Sequence, residues 1–124
     1  MRRNLTFLIL TVAVLAGLWL AMKPDTAPAN NAEIVAQTQT VNFDIVSGST
    51  PEPQIIRLKI GDTAQLNFVS DTDAAVHVHG VDMHIPLSAG IKEQREFVAT
   101  QTGRFSLEVH DTEMQLGTIE VYPR

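Results

Sequence analysis

The chain has 124 residues, room for one domain and little more at ~100–200 residues per domain. Fourteen acidic and nine basic side chains give a net charge of −5, which argues against nucleic acid as a partner, since phosphates require a basic stripe. With no cysteine, a disulfide scaffold, a thiolate metal site and a cysteine nucleophile are excluded together.

Arg2 and Arg3 precede an apolar run, Leu5–Met22, interrupted only by Thr6, Thr11 and Gly17. As a helix these 18 uncharged residues would span about 27 Å, close to the ~30 Å hydrocarbon core of a bilayer. A secretory signal core usually runs ~7–15 residues and ends at a small-x-small cleavage site. Here Trp19, Leu20 and Met22 mark the exit, and the small-residue candidates, Ala27-Pro28-Ala29 and Ala32, lie beyond it. The run over residues 1–22 is therefore expected to be an uncleaved membrane anchor, with a cleaved signal peptide as the alternative. In either case the arginines stay inside and the rest is exported, to the periplasmic or extracellular side. Residues 23–32, with Pro24, Asp25, Pro28, Asn30 and Asn31, are expected to be a linker. The remaining domain, 33–124, carries thirteen acidic and six basic residues, a net −7 that favours solubility and tolerates metal cations.

A two-residue period runs through this domain and predicts strands. Val41, Phe43 and Ile45 alternate with Asn42 and Asp44, and Ile56, Leu58 and Ile60 with Arg57 and Lys59. After the Gly61-Asp62 turn, Ala64, Leu66 and Phe68 repeat the pattern, followed by Val76 and Val78, a strand within Lys92–Thr100, then Phe105, Leu107 and Val109, and finally Ile119 and Val121. About seven short strands separated by Gly, Pro and Asp turns predict an all-β, antiparallel Greek-key β-sandwich following the N-terminal helix.

The chain has four histidines, His77, His79, His84 and His110. Residues i and i+2 of a strand project from one face, so His77 and His79 present two imidazoles side by side while Val76 and Val78 take the core. By the same logic Glu108 and His110 face outward, opposite Phe105, Leu107 and Val109. If the two strands are neighbours, three imidazoles and a carboxylate gather on one face, a donor set suited to copper, with zinc as a further possibility. Met114 offers a thioether, which would favour Cu(I). His84, in the segment Val81–Gly90 read as a hairpin, is expected to lie outside the paired register. Taken singly, each of these residues has an ordinary alternative, a solvated surface side chain or, for Met114, packing near a turn.

The order of these features resembles the second half of a cupredoxin domain: a histidine strand, the segment Ile85-Pro86-Leu87-Ser88-Ala89-Gly90, then Gly103-Arg104-Phe105-Ser106-Leu107, and a closing Met114-Gln115-Leu116-Gly117-Thr118-Ile119-Glu120-Val121. In blue-copper cupredoxins a cysteine at the end of the Gly-x-Phe strand binds the metal. Val109 holds that place, so blue-copper electron transfer is excluded. His77-Val78-His79-Gly80 is similar to the His-x-His-Gly motif in the first cupredoxin domain of multicopper oxidases, and Gly103–His110 to the later strand of that domain, which ends in His-x-His. The resemblance implies ligand roles for His77, His79 and His110. Glu108 stands where that family has a histidine, and one domain leaves no place for the electron-donating copper site of an oxidase.

No phosphate loop, Gly-x-Ser-x-Gly elbow or His-Glu-x-x-His helix is present. The expectation is a non-enzymatic, membrane-tethered, exported copper-binding protein, holding Cu(I) or Cu(II) through His77, His79, His110 and Glu108, and serving capture, delivery or buffering for an exported copper protein. The alternatives are a metal-free module packing against a membrane-protein partner and a small metalloenzyme.

Overall fold

The computed structural model describes residues 2–23 and 35–124. The expected linker, apart from Lys23, and the small residues considered as cleavage sites lie outside the described residues. The chain divides into two compact units, residues 1–34 and 35–124. In the first, helix α1 spans Arg2–Ala21. Residues 3–21 have a mean hydropathy of 2.1 and contribute nothing to a protein core, so by length and composition this helix is able to cross a membrane or to serve as a signal sequence. Lys23 Nζ sits 4.1 Å from the centroid of the Trp19 ring at its C-terminal end.

The second unit contains eight strands: β1 Thr38–Ile45, β2 Gln54–Lys59, β3 Thr63–Ser70, β4 Ala74–Val78, β5 Met83–Leu87, β6 Glu93–Val98, β7 Gly103–Val109 and β8 Met114–Tyr122. They form a three-stranded sheet, β1-β3-β6, and a five-stranded sheet, β2-β8-β7-β4-β5. The chain crosses between the sheets repeatedly, as a sandwich requires. Pairing is mixed rather than purely antiparallel, since β1 runs parallel to β3 and β2 parallel to β8. The cause is connectivity: β2 lies in the other sheet, so β3 returns beside β1 in the same direction.

The alternating apolar residues meet in one core. Phe43 and Phe68 stack with centroids 5.1 Å apart, and Phe97 lies 5.2 Å from Phe105. Asp62 ties the ends of this unit together. It accepts from the backbone N–H of Gln37 at 2.9 Å and of Lys59 at 2.8 Å, and pairs with Arg124. These donors, Gln37 first, hold the Asp62 carboxyl below the usual carboxylate range. Asp71 accepts from the Ser47 backbone N–H at 3.0 Å and hydroxyl at 2.9 Å, and its carboxyl is likewise lowered by them.

The strand missing from the expected seven is β5. Pro86 made Val81–Gly90 look like a hairpin. However, β5 is the edge of its sheet, where the missing N–H of proline costs no ladder bond, and Met83, Ile85 and Leu87 alternate inward around His84 and Pro86.

Candidate metal centre

β4 lies between β5 and β7, and its register decides what gathers outside the sheet. Val76 pairs with Ile85 and Val109, and Val78 with Met83 and Leu107, all turned toward the core. The intervening His77 is directly opposite His84 on β5 and Glu108 on β7. His79 donates its backbone N–H to the Ser106 carbonyl, and His110 donates to the Ala75 carbonyl, each at 2.8 Å, extending the β4–β7 ladder at both ends. His110 is thereby placed diagonally across from His77, within reach of a long or aromatic side chain.

All four histidines meet on this face. The His77 ring centroid is 4.7 Å from that of His79, and 6.2 Å from those of both His84 and His110; His84 and His110 are 6.0 Å apart. The side-chain expectations for His77, His79, Glu108 and His110 thus place them together, outward and accessible. The expectation for His84 requires correction: because β5 is a strand, His84 stands in direct register with His77 instead of outside it. Nothing in the local sequence except the alternation of Met83, Ile85 and Leu87 could have shown this.

Glu108 is engaged. His79 Nε2–H donates to Glu108 Oε2 at 2.9 Å, and the Ser106 hydroxyl donates to Glu108 Oε1 at 3.2 Å. Met114 is not on this face. It pairs with Val109, and directly paired residues project to the same side of a sheet, so its thioether packs half-buried against the core.

The turn after β4 requires glycine. Gly80 has φ +92°, and a Cβ there would lie 2.9 Å from Cδ1 of Phe105. Glycine after the His-x-His pair therefore allows the strand to end directly over the core ring of β7. The face is open sheet surface: a groove of 580 Å³ at the end of the sandwich, lined in part by Ile45, Pro51, Asp111 and Met114, contains none of the histidines.

Solved structures similar to this chain include copper oxidases. The blue copper oxidase from Nitrosomonas europaea is matched over 71% of this chain and 39% of its own, with a TM-score of 0.54 and 16% identity. The fold is cupredoxin-like. The multicopper oxidase mgLAC is matched over 73% of this chain and 40% of its own (TM-score 0.51, 16% identity), and a multicopper oxidase from Pseudomonas thermotolerans over 70% and 30% (TM-score 0.51, 16% identity). The chain therefore spans well under half the length of these oxidases. No protein-family model matches the chain, and no curated protein sequence matches it.

The donor set can be tested against copper, the metal these folds carry by name. Imidazole is a good ligand for copper, and four are present without a thiolate. A ligating nitrogen about 2.0 Å from an ion places its ring centroid about 3.2 Å away, so two such rings sit about 5 Å apart at a tetrahedral angle. The observed centroid separations, 4.7–6.2 Å, bracket and slightly exceed this spacing. Among the described residues, no three His, Cys, Asp or Glu side chains converge closely enough to hold an ion in their present rotamers. The residue types suit copper, but as the side chains stand no three of them could hold one ion.

Proposed function

We propose that the domain binds copper on its histidine face, on the exported side of a membrane to which α1 tethers it, and that it captures, delivers or buffers the metal for another exported protein. The observation that carries this reading is the convergence of every histidine in the chain on one outward face, from β4, β5 and the end of β7. Four further features support it. The fold is shared with copper oxidases. Val109, at the position that would carry a cysteine in a blue-copper protein, is buried in the core, so the site is built without sulfur. The face is open to solvent, which suits exchange with a partner better than permanent redox use. The arginines at the start of α1 and the Trp19–Lys23 pair at its end are residue types found at the two membrane interfaces.

A second reading, a metal-free module that packs against a membrane protein, draws on the lack of convergence in the present rotamers. Titration of the full chain in detergent with Cu(II), with Cu(I) under reducing conditions and with Zn(II), followed by melting and visible absorption, separates the two. Copper binding predicts a copper-dependent rise in Tm with weak ligand-field absorption and no intense thiolate-to-copper band. An unchanged Tm with every metal would support the metal-free module. Stabilisation by zinc alone would displace copper as the cargo.

A further inference from the structure

We propose that β1 is a docking edge for a second copy of this chain, the two β1 strands pairing antiparallel about a two-fold axis at Val41. The proposal is independent of copper. The three-stranded sheet ends on one side at β1, which pairs with β3 along its whole length without a bulge. In a parallel ladder alternate residues of a strand bond to the same neighbour. Thr63 N–H donates to the Gln37 carbonyl and Asp71 N–H to that of Ile45, so the odd-numbered residues of β1 bond to β3. Thr38, Thr40, Asn42 and Asp44 therefore turn their backbone N–H and C=O groups to the open edge. The side chain of Gln54 marks this direction, since its amide donates to the Asn42 carbonyl at 3.0 Å. Among the described residues no other hydrogen bond reaches these edge groups, and the four side chains are exposed.

The other sheet edges are blocked. β5 carries Pro86, β6 carries Glu93, Arg95 and Glu96, and β2 follows Pro51 and Pro53 and carries Arg57 and Lys59. Proline and charge are the devices by which edge strands avoid pairing with other chains. β1 has no proline and no basic residue, and its one charge, Asp44, stands next to its end.

Self-complementarity selects the occupant. Two identical edges paired antiparallel cover each other and leave no β1 free to recruit a third chain, so the assembly closes at a dimer. With the axis at Val41, Thr40 lies opposite Asn42 of the second copy and Thr38 opposite its Asp44, and each such pair exchanges both backbone bonds. All four outward residues are used. Hydroxyls meet an amide and a carboxylate, and the two Asp44 carboxylates stay at opposite ends of the ladder. An axis at Thr40 or Asn42 leaves part of the edge unpaired, and one at Asp44 sets two carboxylates face to face, which is destabilising. On pairing, the Gln54 amide withdraws and the Asn42 carbonyl accepts from Thr40 of the second copy.

The test is sedimentation of the full chain in detergent over a range of concentrations, for wild type, Thr38→Lys, Thr38→Asp, Thr40→Pro and Gln54→Ala, with melting in parallel. Within one chain Thr38 and Asp44 lie about 20 Å apart along the strand, so a charge at position 38 meets Asp44 only across the dimer. Wild type should show a monomer–dimer equilibrium. Thr38→Lys should tighten it and Thr38→Asp weaken it, each by about threefold or more, because the pair occurs twice. Thr40→Pro removes an N–H that bonds nothing in the monomer, a position where an edge strand tolerates proline, and should weaken the dimer by about tenfold or more. Gln54→Ala should leave it at least as tight. If Thr40→Pro fails to fold, the opposed shifts at position 38 decide alone. Dimers of equal strength in every variant would place the association elsewhere, as in α1, whose Ala13, Gly17 and Ala21 form a stripe of small residues, and would overturn the edge. Shifts of the same sign for Thr38→Lys and Thr38→Asp would overturn the axis at Val41. A wild type that stays monomeric up to about 0.1 mM would overturn the dimer and leave the edge to a strand of a different protein.

Discussion

The two faces of β4, β5 and β7 share a backbone and almost nothing else. Inward, Val76, Val78, Ile85, Leu87, Phe105, Leu107 and Val109 are each at most 4% exposed. Outward, the same strands or their ends carry His77, His79, His84, Glu108 and His110, all exposed or half-buried; His79 leaves half its side chain in solvent. A strand's two-residue period is what permits this separation. Stability is concentrated on one side of the sheet and ligand chemistry on the other, so a change on either face should leave the property of the other nearly untouched.

The largest expected effect lies inward. Leu107→Ala removes a fully buried side chain at the centre of the five-stranded sheet and should destabilise the domain by about 2–5 kcal/mol, measured by chemical denaturation. Any loss of copper binding in that variant should track the unfolded fraction alone. Gly117→Ala comes next. Its Cβ would lie 2.5 Å from the carbonyl oxygen of Gln54, its partner on β2, and overpacking of this kind costs about 1–3 kcal/mol. A neutral result would mean that β2 shifts away without penalty.

Asp62→Asn tests a contact remote from both faces. The folded-state carboxyl is lowered, so its contribution to stability is present above the unfolded value of about 3.9 and is lost as pH falls through the folded value. The variant should melt below wild type at neutral pH, and the difference should shrink as pH drops below about 4. A gap that stays constant to low pH would show that the ionised form contributes nothing. The smallest effects on folding belong to the outward histidines: His84→Ala should change apo stability by no more than about 0.5 kcal/mol.

The same contrast explains what could be read from the sequence. The inward face was legible because alternation of Val76 and Val78, or Phe105, Leu107 and Val109, is a local signal, and it placed His77, His79, Glu108 and His110 on the outer side correctly. Two features were hidden. β5 carries Pro86, a residue that signals a break unless the strand is known to be an edge, so the partnership of His84 with His77 depended on a tertiary fact. The place of Met114 was left open, between a thioether ligand and packing near a turn. Counting back by twos from Ile119 puts Met114 outside, but the β7–β8 register shifts between Leu107 and Glu108, and Leu116 and Gly117 are both buried. That bulge turns Met114 inward. The parallel pairs were likewise invisible, because they join strands separated by a crossover to the other sheet.

The most direct test of the separation between faces is a paired melting experiment on wild type and His77→Ala, each with and without copper. His77 is the ring that every other histidine approaches. The two apo proteins should melt together, and only wild type should gain stability when copper is added. An apo His77→Ala that melts well below wild type would make this histidine structural, and equal copper stabilisation of both proteins would remove the metal from this face.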